Sequence, residues 1–237
     1  MKIRLEFLKF IISNSNLLLQ INQADVLWKC LVTEMIVPEE REICFQWLEK
    51  SLPSSEFVPF DDSISQHLFE NKMTQIDYTQ LNQSAYSVFE QYFLSLNEKS
   101  NKIRVIDRKQ DGKANYIINS DLNEKLLFGY DKMWEIALNA EHEGIFIYAI
   151  NCLNMLFQIH PSEFQRKSYL RVREQYITKC LSFIDQSISS DPINLMHLER
   201  CLLLLKVLPP FPLLLFFFPS FLPFFLSLFA MSFLLQF

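Results

Sequence analysis

The sequence predicts an all-α protein of antiparallel helix pairs, and three observations lead there. The 237 residues contain three glycines, too few for the turns and bulges of an all-β fold or for a phosphate-binding loop. Apolar side chains recur at helical spacing through most of the first 206 residues. Proline and acidic residues stand where helices would begin. Half of the chain is hydrophobic, ample for a buried core, and the net charge of −5 supplies no field for drawing in nucleic acid.

Taken in order, residues 1–23 form an N-terminal segment. Charges at Lys2, Arg4, Glu6 and Lys9 interrupt its apolar run, so a secretory signal is not expected. Residues 24–33 and 38–52 make a first helix pair, the second member opened by Pro38 with Glu39 and Glu40 at the positive end of its dipole. Ala85, Val88, Phe89, Tyr92, Phe93 and Leu96 lie on one stripe of a further helix. The polar stretch 99–123 breaks the pattern. Its Asp111-Gly112 suits a type I′ hairpin turn, and a mobile inter-helix insertion fits equally.

A second pair spans 131–141 and 145–158, parted at Glu143-Gly144, with Ile145, Tyr148, Ala149, Cys152, Leu153 and Leu156 on one stripe. The third spans 163–186 and 192–206. Ser162 with Gln165 reads as a capping box, Tyr169, Val172, Tyr176, Ile177, Cys180, Leu181 and Ile184 as the stripe, and Asp191-Pro192 as the N-cap and first residue of the last helix. Helix pairs recurring at roughly 40 to 47 residues have the period of armadillo and HEAT solenoids. Residues 24–206 are therefore expected to be a helical-repeat scaffold with an insertion at about 99–123. Trp28, Trp47, Trp134, Phe89, Tyr148 and Leu181 are expected to be buried in it.

No constellation carries chemistry. Gly112, Gly129 and Gly144 form no nucleotide-binding motif, and His67, His142, His160 and His197 lack metal-ligand spacing. Cys30, Cys44, Cys152, Cys180 and Cys201 include no C-x-x-C pair and read as reduced, buried thiols of a cytoplasmic protein. Glu39-Glu40 and Asp61-Asp62 read as helix-start and loop charges, and the sequon Asn82-Gln83-Ser84 carries little meaning. No catalytic, cofactor-binding or metal-binding residue is nominated.

Five segments carry a family resemblance: Val26 to Val32, Cys44 to Leu48, Leu68 to Met73, Gly129 to Ala140, and Glu199 to Lys206. In this order they resemble the non-catalytic helical region upstream of the protease domain in large fat-facets-type ubiquitin-specific proteases, over roughly residues 24–206. The resemblance implies an armadillo- or HEAT-like scaffold that binds proteins, with hydrolysis of ubiquitin conjugates left to a separate papain-like domain. The family's Gly-Asn-Thr-Cys-Tyr box is absent, and His142-Glu143-Gly144 lacks the Gly-His-Tyr that would complete a histidine box. No enzymatic activity is expected of this chain, and its expected partners are proteins, not nucleic acid.

Every Lys, Arg, Asp and Glu lies at or before Lys206. Phe, Leu, Pro and Ser, the residues of all-pyrimidine codons, make up 27 of the 31 positions at 207–237. Translation through a pyrimidine-rich intron end would give such a tract. The alternative is a membrane anchor, since 213–235 is long enough to cross a bilayer, although Pro219 and Pro223 interrupt it.

Overall fold

A computed structural model describes residues 1–15, 18–51, 59–78, 81–108, 114–119, 127–158 and 167–205. The apolar segment 207–237, the Ser162/Gln165 capping box, the Asp111-Gly112 turn and His160 lie outside the described residues.

The first helix, α1 (Lys2–Ser15), falls in the N-terminal segment for which no element is expected, and it seats Leu5 and Ile12 inward. Helix α2 (Ile21–Trp28) begins three residues before the expected start, opened by a capping box in which the Gln20 amide donates to Gln23 Oε1 at 2.9 Å. It runs on as a single π turn, Lys29–Thr33. Helix α3 (Pro38–Glu49) starts as its proline and two acids require. Asp61 caps α4 (Asp62–Asn71) by accepting from the Ile64 amide at 2.8 Å, and a 3₁₀ turn, Met73–Gln75, follows. Asn82 caps α5 (Gln83–Lys99) in the same way through Ala85, so the sequon asparagine has a local structural task.

The 99–123 insertion proves to be ordered where it is described. Strands β1 (Ile103–Arg108) and β2 (Ala114–Ile118) pair antiparallel with Ile103 opposite Ile118, and the register shifts between Val105 and Asp107. Buried Ile103, Ile117 and Ile118 fix the hairpin against α5 and α7. Period-two alternation is short here, and only the tertiary contact decides between hairpin and loose insertion.

Helix α6 (Tyr130–Asn139) follows Gly129, whose φ of 70° is left-handed. A Cβ there would stand 2.5 Å from the Phe69 ring, so both backbone and space demand glycine. The break before α7 (Glu143–Leu156) falls at 140–142, just before the expected Glu143-Gly144. His142 Nδ1 accepts from the Gly144 amide at 3.1 Å, which turns Glu143 and Gly144 into the first turn of the helix. Helix α8 (Lys167–Ser189) is followed by α9 (Leu195–Leu205). The last helix does not begin at Pro192: Asn194 is its cap, accepting from the His197 amide at 3.1 Å. An Asn three residues ahead of the first capped amide outcompeted the Asp-Pro signal.

The helices stack in two rows. In one, α1 packs on α3, α3 on α5, α5 on α7 and α7 on α9. In the other, α2 packs on α4, Phe69 of α4 closes on Gly129 at the start of α6, and Trp134 of α6 meets Tyr176 and Phe183 of α8. Nearest-neighbour stacking of this kind makes the protein a helical solenoid of the armadillo type, with one small hairpin added. A continuous core joins the rows. Trp28, Trp47, Trp134, Phe89 and Leu181 lie in it, whereas Tyr148 is 47% exposed. Ile145, Ala149, Cys152, Leu153 and Leu156 share the inner face of α7, and Tyr148 flanks that face, stacked on Tyr86 at 6.4 Å.

Candidate interaction surface

The residues that made the sequence recognisable turn out to hold the stack together. Gly129 permits the tight approach of α4 to α6. Trp134 lies 5.4 Å from Tyr176 and 5.5 Å from Phe183, and Tyr176 stacks on Phe157 at 4.2 Å. Arg200, only 4% exposed, donates to the carbonyls of Leu138 at 2.6 Å and Ala140 at 2.8 Å, with its guanidinium over the Phe146 ring. A cation thus closes the C-terminal end of α6, where the helix leaves its carbonyls unpaired. His197 bonds Asn139 Oδ1 at 2.9 Å, and burial together with Arg200 holds its pKa below the ordinary value.

Asn97 repeats the device on the other side of the molecule. Its amide donates to the Phe93 and Phe128 carbonyls and its Oδ1 accepts from the Phe128 amide, which ties α5 to the approach of α6. Sequence reasoning missed both groups. The signal was present, since Asn97 follows Phe93 by four on an apolar stripe and Arg200 stands among buried leucines. A polar residue at a core position needs a buried partner, here a backbone carbonyl.

Burial pushes the Cys44 thiol up to about 11 and Cys201 up to about 12; Cys152 is raised well above its usual range by burial and by the adjacent Glu90 carboxylate. Each is thereby kept from the thiolate form. Cys30 corrects the expectation of uniformly buried thiols: it is exposed, because it lies off the stripe of Ala24, Trp28, Leu31 and Val32 that faces the core. His67 is occupied by Asp25 at 3.0 Å, and Lys72 meets the same carboxylate at 3.1 Å. Asp25 is held below its ordinary pKa, first by the His67 hydrogen bond. Among the described residues no three His, Cys, Asp or Glu side chains gather as a metal site, and no helix is long and apolar enough to cross a membrane.

Two grooves remain. One, of about 400 Å³, is apolar and runs between α1 and α2, lined by Leu8, Leu19, Val26, Leu27 and Cys30. The other, of about 820 Å³, is polar: Arg171, Glu174, Gln175, Thr178, Lys179 and Ser182 project from one face of α8 beside Asp131 of α6. Its charges alternate in sign and Lys179 is committed to Asp131 at 3.0 Å.

This architecture defines an armadillo-type stack of helix pairs. A family model described as the UBP24/USP9X/USP9Y ARM repeat matches residues 1–97. The chain is 30% identical over 181 residues, 76% of its length, to the probable ubiquitin carboxyl-terminal hydrolase FAF of Drosophila melanogaster. It is 27% identical over 188 residues to human ubiquitin carboxyl-terminal hydrolase 24 and 25% identical over 213 residues to human ubiquitin carboxyl-terminal hydrolase 34. It spans 6%, 7% and 5% of those three proteins, respectively. The resemblance carried by the five segments is thus to the ARM-repeat region of large ubiquitin carboxyl-terminal hydrolases.

Proposed function

We propose that this chain is a non-catalytic protein-interaction scaffold, a piece of a large cytoplasmic ubiquitin-specific protease that acts in ubiquitin-dependent protein turnover. The match to an ARM-repeat family model carries the reading, because repeats of this type bury their recognisable residues in the stack and leave the outer faces free for partners. The polar face of α8 is the surface assigned to a protein partner. Arg171 and Glu174 are exposed on it, and opposite charges side by side favour a partner with the complementary alternation over nucleic acid. The raised pKa values of Cys44, Cys152 and Cys201 support a role without catalysis.

The test is affinity capture with the full chain and with an Arg171→Glu/Glu174→Lys variant whose circular dichroism matches it. Proteins captured by the first and lost by the second are the expected result. Identical captured sets would remove the α8 face from the account.

A further inference from the structure

The start of the hairpin is a basic stretch in an acidic chain. Residues 99–108 hold four Lys and Arg and one acid, a net +3, where the whole chain carries −5. Charge of one sign gathered on a short element makes a local field that the overall balance hides. Lys99 is committed to Asp62 at the start of α4. Lys102 and Arg104 stand outside that pair.

Lys102 is a cation short of counter-charge. It is half-buried, its ammonium lies 3.1 Å from the centroid of the Phe128 ring, and the ion pairs of the neighbourhood, Lys99 with Asp62 and Lys72 with Asp25, leave it out. Burial lowers its pKa from the ordinary value against a longer-range pull from Glu70. Its backbone is held on both sides: the amide donates to the Asn97 carbonyl at 2.8 Å, and the carbonyl accepts from the Asn119 amide at 2.9 Å. Ile103 is buried, so strand alternation turns Lys102 and the exposed Arg104 to the opposite side. Asp107, the acid of the stretch, stands past the register shift in β1.

We propose that Lys102 and Arg104, at the base of the β1–β2 hairpin, form a docking site for an acidic segment of a partner protein. Alternate residues of an extended chain are about 7 Å apart, so two carboxylates separated by one residue match the spacing of the two cations. The first meets the ammonium above Phe128 and supplies the counter-charge that burial calls for; the second meets the guanidinium. A bilayer or a nucleic acid is a broad anion that also confronts the acidic remainder of the chain, whereas a short segment meets the hairpin alone. From the scaffold reading this site takes only that the partner is a protein.

The test is fluorescence anisotropy of a fluorescein-labelled peptide of alternating Glu and Ser, titrated with the full chain. Saturable binding that weakens with added salt is expected, and a peptide of alternating Lys and Ser should not bind. Lys102→Met keeps the apolar stem on Phe128 and should weaken binding severalfold; adding Arg104→Gln should abolish it. If the double variant loses its helical circular dichroism, Lys102→Met alone carries the comparison. The Arg171→Glu/Glu174→Lys variant should bind the peptide as the unaltered chain does, so the hairpin and the α8 face succeed or fail separately. No binding, binding undiminished by Lys102→Met, or an equal loss in the α8 variant would each overturn the proposal. Binding of an oligothymidylate or of phosphatidylserine vesicles as tight as that of the peptide, and lost with Lys102→Met, would assign the hairpin to that anion and overturn it as well.

Discussion

The two ends of the solenoid are held by different physics. At the C-terminal end, α6 to α9 share the Trp134, Tyr176, Phe183 and Phe157 cluster and the buried Arg200 clamp on the α6–α7 corner. At the N-terminal end, the links between elements include the partly exposed Asp25, His67 and Lys72 group and the ion pair from the Met1 amine to Glu40 at 3.4 Å. The difference is one of solvent access. Buried aromatic area and charge-assisted bonds to carbonyls are expensive to remove, whereas exposed ion pairs are screened and worth little. Both ends also bury aromatic area, Trp28 against Phe45 at one and Trp134 against Tyr176 at the other, so the contrast lies in the polar links.

That contrast can be broken by substitution. Trp134→Ala, at a ring 1% exposed, should lower stability by roughly 3 to 5 kcal/mol in denaturant unfolding, and a loss below about 1 kcal/mol would place the ring outside the core. Arg200→Leu leaves the Leu138 and Ala140 carbonyls without their donor and should cost about 2 to 3 kcal/mol. If this substitution is neutral, the clamp does not anchor the corner.

The clamp also predicts a pH dependence. His197 has its folded pKa lowered from 6.5 by burial and by Arg200, so the unfolded chain binds that proton more readily. The stability associated with the neutral ring is therefore complete above pH 6.5 and is lost as pH falls toward the lowered folded value. His197→Asn should remove that part of the acid sensitivity, as read from thermal melts on either side of that pH. The smallest effect belongs to the other end: Asp25→Asn should cost less than about 1 kcal/mol, since its carboxylate is partly exposed and its ion pairs are screened. A cost equal to that of Arg200→Leu would erase the distinction between the two ends.

Much of this fold was legible in the residues. The stripes of α5, α7 and α8 gave their inner faces because a period near 3.6 leaves one face apolar, and Pro38 marked a helix start without ambiguity. Tyr148 escaped because periodicity does not say how wide the covered face is. The start of α9 escaped because two capping signals, Asp191-Pro192 and Asn194, compete within four residues and packing selects one. The exposure of Cys30 follows from its place off the stripe of Ala24, Trp28, Leu31 and Val32, which composition-level reading of the cysteines overlooked. The polar face of α8 was not readable, since nothing in the sequence tells a solvated stripe from one that lines a groove.

On the proposed reading this chain binds proteins and performs no hydrolysis, although the proteins it resembles are ubiquitin carboxyl-terminal hydrolases. The most direct measurement is incubation of the purified full chain with ubiquitin bearing a C-terminal fluorophore. Release indistinguishable from the buffer blank is the predicted result. Release above the blank that disappears on Cys30→Ala, at the one thiol exposed to solvent, would show that the scaffold is itself an enzyme.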